Sequence, residues 1–184
     1  MENANLNNNI ISIGNFAFGT SVNMYNVKDY MSLKLEDGLP ESLEELGESA
    51  FYRGGPNIKI TQLPKRLKEI KSNTFADCAQ VAIREFGSAD ASAESALTQI
   101  ATGAFARAGL GRTDITEVIF NQSIGPNSFG SNCFSGSYAS WDKSSNPRLD
   151  KITFMNPSIT LDNVDGILSN AGLAAVTKEL VKEN

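Results

Sequence analysis

Apolar residues along this chain recur in two patterns. The first is a short alternation, seen at Leu33-x-Leu35, Ile58-x-Ile60, Val81-x-Ile83, Val118-x-Phe120 and Ile152-x-Phe154. A period of two with one inward face predicts short β-strands. The second pattern is longer: an apolar residue, two variable ones, Ile or Leu, often Gly, then a small residue followed by Phe. It runs Ile10-Ile-Ser-Ile13-Gly14-Asn-Phe-Ala17-Phe18, then Leu43 to Phe51, Leu67 to Phe75 and Leu97 to Phe105, with a weaker fifth copy, Ile124 to Phe129. The phenylalanines at 18, 51, 75, 105 and 129 are spaced by 33, 24, 30 and 24 residues, which suggests a unit of 24 with insertions.

The two patterns alternate along the chain, and the physical consequence is a stack. Each unit gives one strand, a turn and a Phe-bearing return. Leu39-Pro40 and Leu63-Pro64 close two of the strands, because proline has no N–H to give a ladder. No unit can bury its own apolar side, whereas stacked units bury a continuous column of Leu, Ile and Phe. The expectation is an α/β-type repeat solenoid of about five coils with a short parallel sheet and a C-terminal helix. Residues 1–9 form a polar N-terminal arm, and residues 10–155 form the stack, with insertions at 87–96 and 130–147. Residues 156–184 form a turn and a helix. That helix is expected from Ser169 to Asn184, capped by Asn170, with Leu173, Val176 and Leu180 on one side. It either covers the last coil or mediates self-association or particle assembly.

The segments LPESLEELGESAF (39–51) and LPKRLKEIKSNTFADC (63–78) resemble the BspA-type leucine-rich repeat, and the likeness extends over roughly residues 10–155. The departures are a shortened segment at 118–134 and the insertion Gly87–Ala96. The resemblance implies a repeat solenoid on microbial surfaces, in adhesion or host contact, and related repeats are also at home in bacteriophage particles.

Composition narrows the chemistry. The chain has no histidine, which removes Ser-His-Asp and Cys-His catalysis and histidine metal ligation. No Walker A sequence occurs, and no GxGxxG follows a strand. The acidic cluster Glu41/Glu44/Glu45/Glu48 occupies polar repeat positions and reads as a solvated face. Asp162-Asn-Val-Asp165-Gly166 lacks the alternating oxygen ligands of a calcium loop and reads as a turn. The net charge of −5 argues against broad nucleic-acid binding. It is uneven: residues 51–84 hold seven bases and two acids, residues 1–50 two bases and eight acids. No apolar run approaches the ~18–20 residues of a membrane span. The start, MENANLNNN, does not read as a signal peptide. Cys78 and Cys133 each follow a repeat Phe and are expected at similar places two coils apart. A separation of roughly 2 × 4.8 Å is too long for a disulfide, so two free, buried thiols are expected. Asn121-Gln-Ser123 is the single glycosylation triplet.

These features point to a non-catalytic protein- or glycan-binding module without cofactor or metal, acting in attachment or host contact. A structural or accessory subunit of a virus or phage particle is the alternative. The location is the cell surface or extracellular space if the resemblance holds, and a virion otherwise. The long insertion 130–147 carries Phe134, Tyr138 and Trp141. Aromatics are favoured as binding anchors, so these three, with the basic run Lys65, Arg66 and Lys68, are the candidate partner-binding residues.

Overall fold

The computed structural model describes residues 6, 9–20, 35, 38–54, 58–90, 97–109, 115–137 and 149–173, and the strand 178–180. The elements are β1 (Ser12–Ile13), β2 (Glu45–Leu46), β3 (Glu69–Ile70), β4 (Glu85–Phe86), β5 (Gln99–Ile100), β6 (Glu117–Phe120), β7 (Lys151–Phe154), α1 (Val164–Ala171) and β8 (Lys178–Leu180). Every pairing among them is parallel: β1 with β2, β3 with β5, and β4-β6-β7-β8 in one four-stranded sheet. Parallel neighbours need a long crossover between them, and here each crossover is the rest of a repeat. The result is a repeat fold of small parallel sheets with one helix among the described residues.

Two ladders run through the repeats rather than one. The alternating segments form the first, with isolated parallel bridges Leu35↔Ile58 and Ile60↔Val81, then the four-stranded sheet. The motif aliphatics form the second: Ile13↔Leu46, Ile70↔Ile100 and the bridge Ile100↔Phe129. These strands stop after two residues because the chain then enters the Phe turn. Gly47 and Gly130 explain the recurring glycine after the aliphatic. A Cβ at Gly47 would lie 2.3 Å from Asn15 N, and one at Gly130 would lie 2.4 Å from Thr102 N.

The phenylalanines stack as expected, with one correction. Phe18, Phe51, Phe75, Phe105 and Phe134 form a column with ring centroids 5.3, 5.6, 5.2 and 5.3 Å apart. A second column, Phe86–Phe120–Phe154, has spacings of 5.2 and 5.4 Å. Phe86 meets Phe105 and Phe134 edge-on, each at 5.3 Å, and so locks the columns together. The fifth ring is therefore Phe134, not Phe129. Phe129-Gly-Ser-Asn-Cys133-Phe134 repeats Ile100-Ala-Thr-Gly-Ala104-Phe105, with a Phe where the other units carry an aliphatic, so a Phe-anchored reading lands one register early. Phe129 packs edge-on against Phe120 at 5.0 Å. Phe134 is 1% exposed, a core ring rather than a loop anchor. The supposed insertion opens with this fifth Phe turn, which continues to Ser137.

The backbone of each Phe turn alternates in handedness. The residue two before the ring has φ near +54° (Phe16, Ser49, Asn73, Asn132) or +65° (Gly103). The residue two after it is also left-handed at Arg53, Asp77, Arg107 and Gly136. Asn and Gly tolerate this region best. The alternation turns every second peptide along the stack. Ser49, Phe51 and Arg53 donate N–H to the carbonyls of Ser72, Thr74 and Ala76, and Asn73, Phe75 and Asp77 donate to Thr102, Ala104 and Ala106. All these carbonyls therefore face the preceding repeat, and all these N–H groups face the following one.

Helix α1 receives the last row. Asn132 N donates to Asn170 O at 2.7 Å and Phe134 N to Ala171 O at 2.9 Å. The Asn170 side-chain amide donates to Phe129 O at 2.9 Å. This corrects the expected C-terminal helix. Val164, Ile167, Leu168 and Ala171 are its buried seam, and it ends at Gly172, whose φ of 84° makes a left-handed C-cap. Asn170 thus sits at the helix end, not its start. Leu173 is buried at 3%. Lys178–Leu180 is a strand with Leu180 opposite Phe154, so the Leu173/Val176/Leu180 seam does not exist as a helix face; Val176 lies outside the described residues.

Candidate interaction surfaces

The fold separates the basic residues that the sequence groups together. Arg66 and Lys68 line an open groove of about 480 Å³ with Glu44, Glu45, Leu46, Glu69 and Lys71. It lies between β2 and β3, where the second ladder changes from one two-stranded sheet to the next. The repeats are joined there by the Phe-turn backbone and by the buried Thr74 hydroxyl, which is shared between Lys71 O at 2.8 Å and Gly47 O at 3.1 Å. Across the groove Arg66 Nη2 meets Glu44 Oε1 at 2.6 Å, and on one side of it Lys71 Nζ lies 3.7 Å from Glu69 Oε1 of the same repeat. Exposed pairs of this kind contribute roughly 0–1 kcal/mol each, so they hold charge in place at little cost to a partner that displaces them. Lys65, although adjacent in sequence, lines two other grooves, of about 570 and 460 Å³, that share Leu63, Lys65, Glu85 and Gly87. Tyr138 and Trp141 lie outside the described residues.

Other charged groups are tied between repeats. Asp77 accepts two hydrogen bonds from Arg107, at 2.5 and 2.6 Å, and faces Arg53 at 3.7 Å. These three share the second left-handed register of successive Phe turns. The sequence motif did not extend that far, and register counting from each Phe would have found them. Glu117 on β6 and Lys151 on β7 are register partners, 2.7 Å apart. That ammonium, and then the Thr153 hydroxyl, hold the Glu117 carboxyl below its usual range. Glu41, Glu44, Glu45 and Glu48 are all exposed, which agrees with a solvated face.

Both cysteines are free and buried, as expected. Burial pushes each thiol up to about 12. They are not at equivalent places, however. Cys133 holds the small-residue position before Phe134, whereas Cys78 follows Phe75 by three and donates its S–H to Phe51 O at 2.8 Å. The glycosylation triplet is built into the fold. Ser123 is 9% exposed, donates to Leu97 O at 2.6 Å and accepts from Ser88 N at 2.8 Å. Asp162 lies in a turn and Asp165 in the first turn of α1. No described helix is long and apolar enough to cross a membrane.

Parallel two-residue ladders, a periodic Phe column and aligned Phe-turn peptides define a repeat protein whose units share one core. Residues 1–140 match the family model of the BspA-type leucine-rich repeat region in six copies. The chain belongs to that family, with one copy more than the five motifs read from the phenylalanines. No curated protein and no solved structure matches it.

Proposed function

We propose that this chain is a leucine-rich-repeat solenoid that binds a protein or a surface glycan non-catalytically, in attachment or host contact. The observation that carries the reading is the groove at the β2/β3 step, where Arg66, Lys68, Glu69 and Lys71 of one repeat face Glu44 and Glu45 of the preceding one. Side chains held by paired backbone present a defined pattern of donors and acceptors, and such complementarity sets specificity and encounter rate more than raw affinity. The Lys65 groove is a second polar surface on the same scaffold, and Tyr138 and Trp141 are the proposed aromatic anchors. Family membership supports a repeat-type interaction module in general.

Immobilised wild-type protein, an Arg66→Ala/Lys68→Ala variant and a Tyr138→Ala/Trp141→Ala variant, screened against a glycan array and a panel of purified surface proteins, test the reading. A ligand retained by wild type and weakened about tenfold or more by the groove variant is the expected result. A ligand bound equally by wild type and both variants overturns the assignment of these surfaces.

A further inference from the structure

The two ends of the repeat stack are finished differently. In four consecutive repeats the carbonyls three before, one before and one after the column Phe accept N–H groups from the repeat ahead: Glu48, Ala50 and Tyr52; Ser72, Thr74 and Ala76; Thr102, Ala104 and Ala106; Ser131, Cys133 and Ser135. The equivalent carbonyls of the first repeat are Asn15, Ala17 and Gly19, and these have no donor among the described residues. The opposite end is closed, since Asn132 and Phe134 donate to the end of α1.

The same repeat departs from the small or polar residues that two registers carry elsewhere. Where later repeats place Glu44, Lys68, Thr98 and Asn127, all exposed, the first carries Ile11. Where they place Ser49, Asn73, Gly103 and Asn132, it carries Phe16 in the left-handed region. Ile11 and Phe16 are each 60% exposed. A bulky residue at φ of 54° is disfavoured, and apolar side chains beside unmatched carbonyls suit a contact that removes both from water.

We propose that the first repeat is a docking face for a further repeat unit of the same kind, carried by a different polypeptide. The unit stacks on Ile11 and Phe16 and donates N–H groups to Asn15, Ala17 and Gly19. The polarity of the face selects this occupant. Face-to-face pairing with a second copy would set carbonyl against carbonyl. Head-to-tail pairing with a second copy fails because α1 has already taken up that copy's N–H row. An uncovered repeat of another chain offers the complementary edge and continues the stacking that joins every repeat within this molecule.

The test titrates the full chain, labelled at isoleucine methyls, with a synthetic peptide of residues 63–80 under reducing conditions. Within the chain that segment presents the N–H groups of Asn73, Phe75 and Asp77 to its neighbour. A control peptide carries N-methyl groups at those three amides. The expected result is a saturable shift of the Ile11 methyl signals that weakens about tenfold or more with the N-methylated peptide. Phe16→Asn should weaken it similarly while leaving thermal stability unchanged, since Asn73 and Asn132 occupy that register in other repeats. No Ile11 shift, or equal binding of the N-methylated peptide, overturns the proposal. A chain that sediments alone as a dimer and dissociates on Phe16→Asn assigns the face to a second copy and overturns it too.

Discussion

Cys78 and Ser137 do the same job two repeats apart. Each lies three residues after its column ring, and each donates to the carbonyl of the preceding ring, Cys78 to Phe51 and Ser137 to Phe105. Cys78→Ser should therefore fold with a stability change below about 1.5 kcal/mol. Cys78→Ala leaves the Phe51 carbonyl without its side-chain donor and should cost about 1–3 kcal/mol. Urea denaturation of the two variants measures the difference.

The thiols also predict an alkaline limit. Their ordinary value is 9.0, and in the folded chain both stand at about 12. Above pH 9 the unfolded chain loses thiol protons that the folded chain keeps, so unfolding is favoured as pH rises. The contribution is fully present below pH 9 and declines between about 9 and 12. Denaturation midpoints at pH 8 and pH 10.5 should drop more for wild type than for Cys78→Ser/Cys133→Ala. Neither native thiol should react with a thiol reagent at pH 8, whereas both should after unfolding.

Ring reassignment separates two neighbouring phenylalanines. Phe134→Ala opens a cavity inside the column and should cost about 3–5 kcal/mol. Phe129→Leu places an aliphatic where the other repeats carry Ile or Leu and should cost less than about 1.5 kcal/mol. Chemical denaturation of both variants decides the order, and the reverse order would restore Phe129 to the column.

The Glu117–Lys151 pair should be visible in acid. Its carboxyl is held low by Lys151 first and Thr153 second, so its stabilising effect is present above the ordinary carboxylate value and fades as pH falls through the folded one. Side-chain carboxyl signals followed by NMR should place the Glu117 midpoint below the ordinary carboxylate value. Lys151→Met should raise the Glu117 midpoint, and so should high salt.

Gly172 should resist substitution. A Cβ there would lie 2.8 Å from Ser135 Cα, on a backbone of φ 84°. Gly172→Ala should cost more than about 1 kcal/mol and loosen the amides of Asn132 and Phe134, read as faster hydrogen exchange at those two positions.

Much of this fold was legible in the sequence because its signals repeat. Phe51, Phe75 and Phe105 each follow a small residue at fixed distance from an aliphatic, and the segments around Ile60, Phe120 and Phe154 alternate as strands should. What misled was a single residue playing another's part. Phe129 stands in an aliphatic register, so the nearest Phe was taken for the column ring. At the C-terminus, Leu173, Val176 and Leu180 sit at helical spacing, but Gly172 ends α1 first and the chain returns to period two. The candidate surface was half legible. Lys65, Arg66 and Lys68 form one charge cluster in sequence, but only the repeat geometry parts Lys65 from the other two and sets Arg66 against Glu44. The Asp77 cluster lies two residues past Phe51, Phe75 and Phe105, beyond the end of the motif, so only extending the register past each Phe reaches it.

Because each Phe turn hands its neighbour the same three-peptide handshake, one unit's junction is interchangeable with the next. Thr74–Phe75 and Ala104–Phe105 meet their neighbours through the same bonds. A chain built this way tolerates gain or loss of a whole unit far better than of one residue, so its length is an adjustable quantity, counted in repeats.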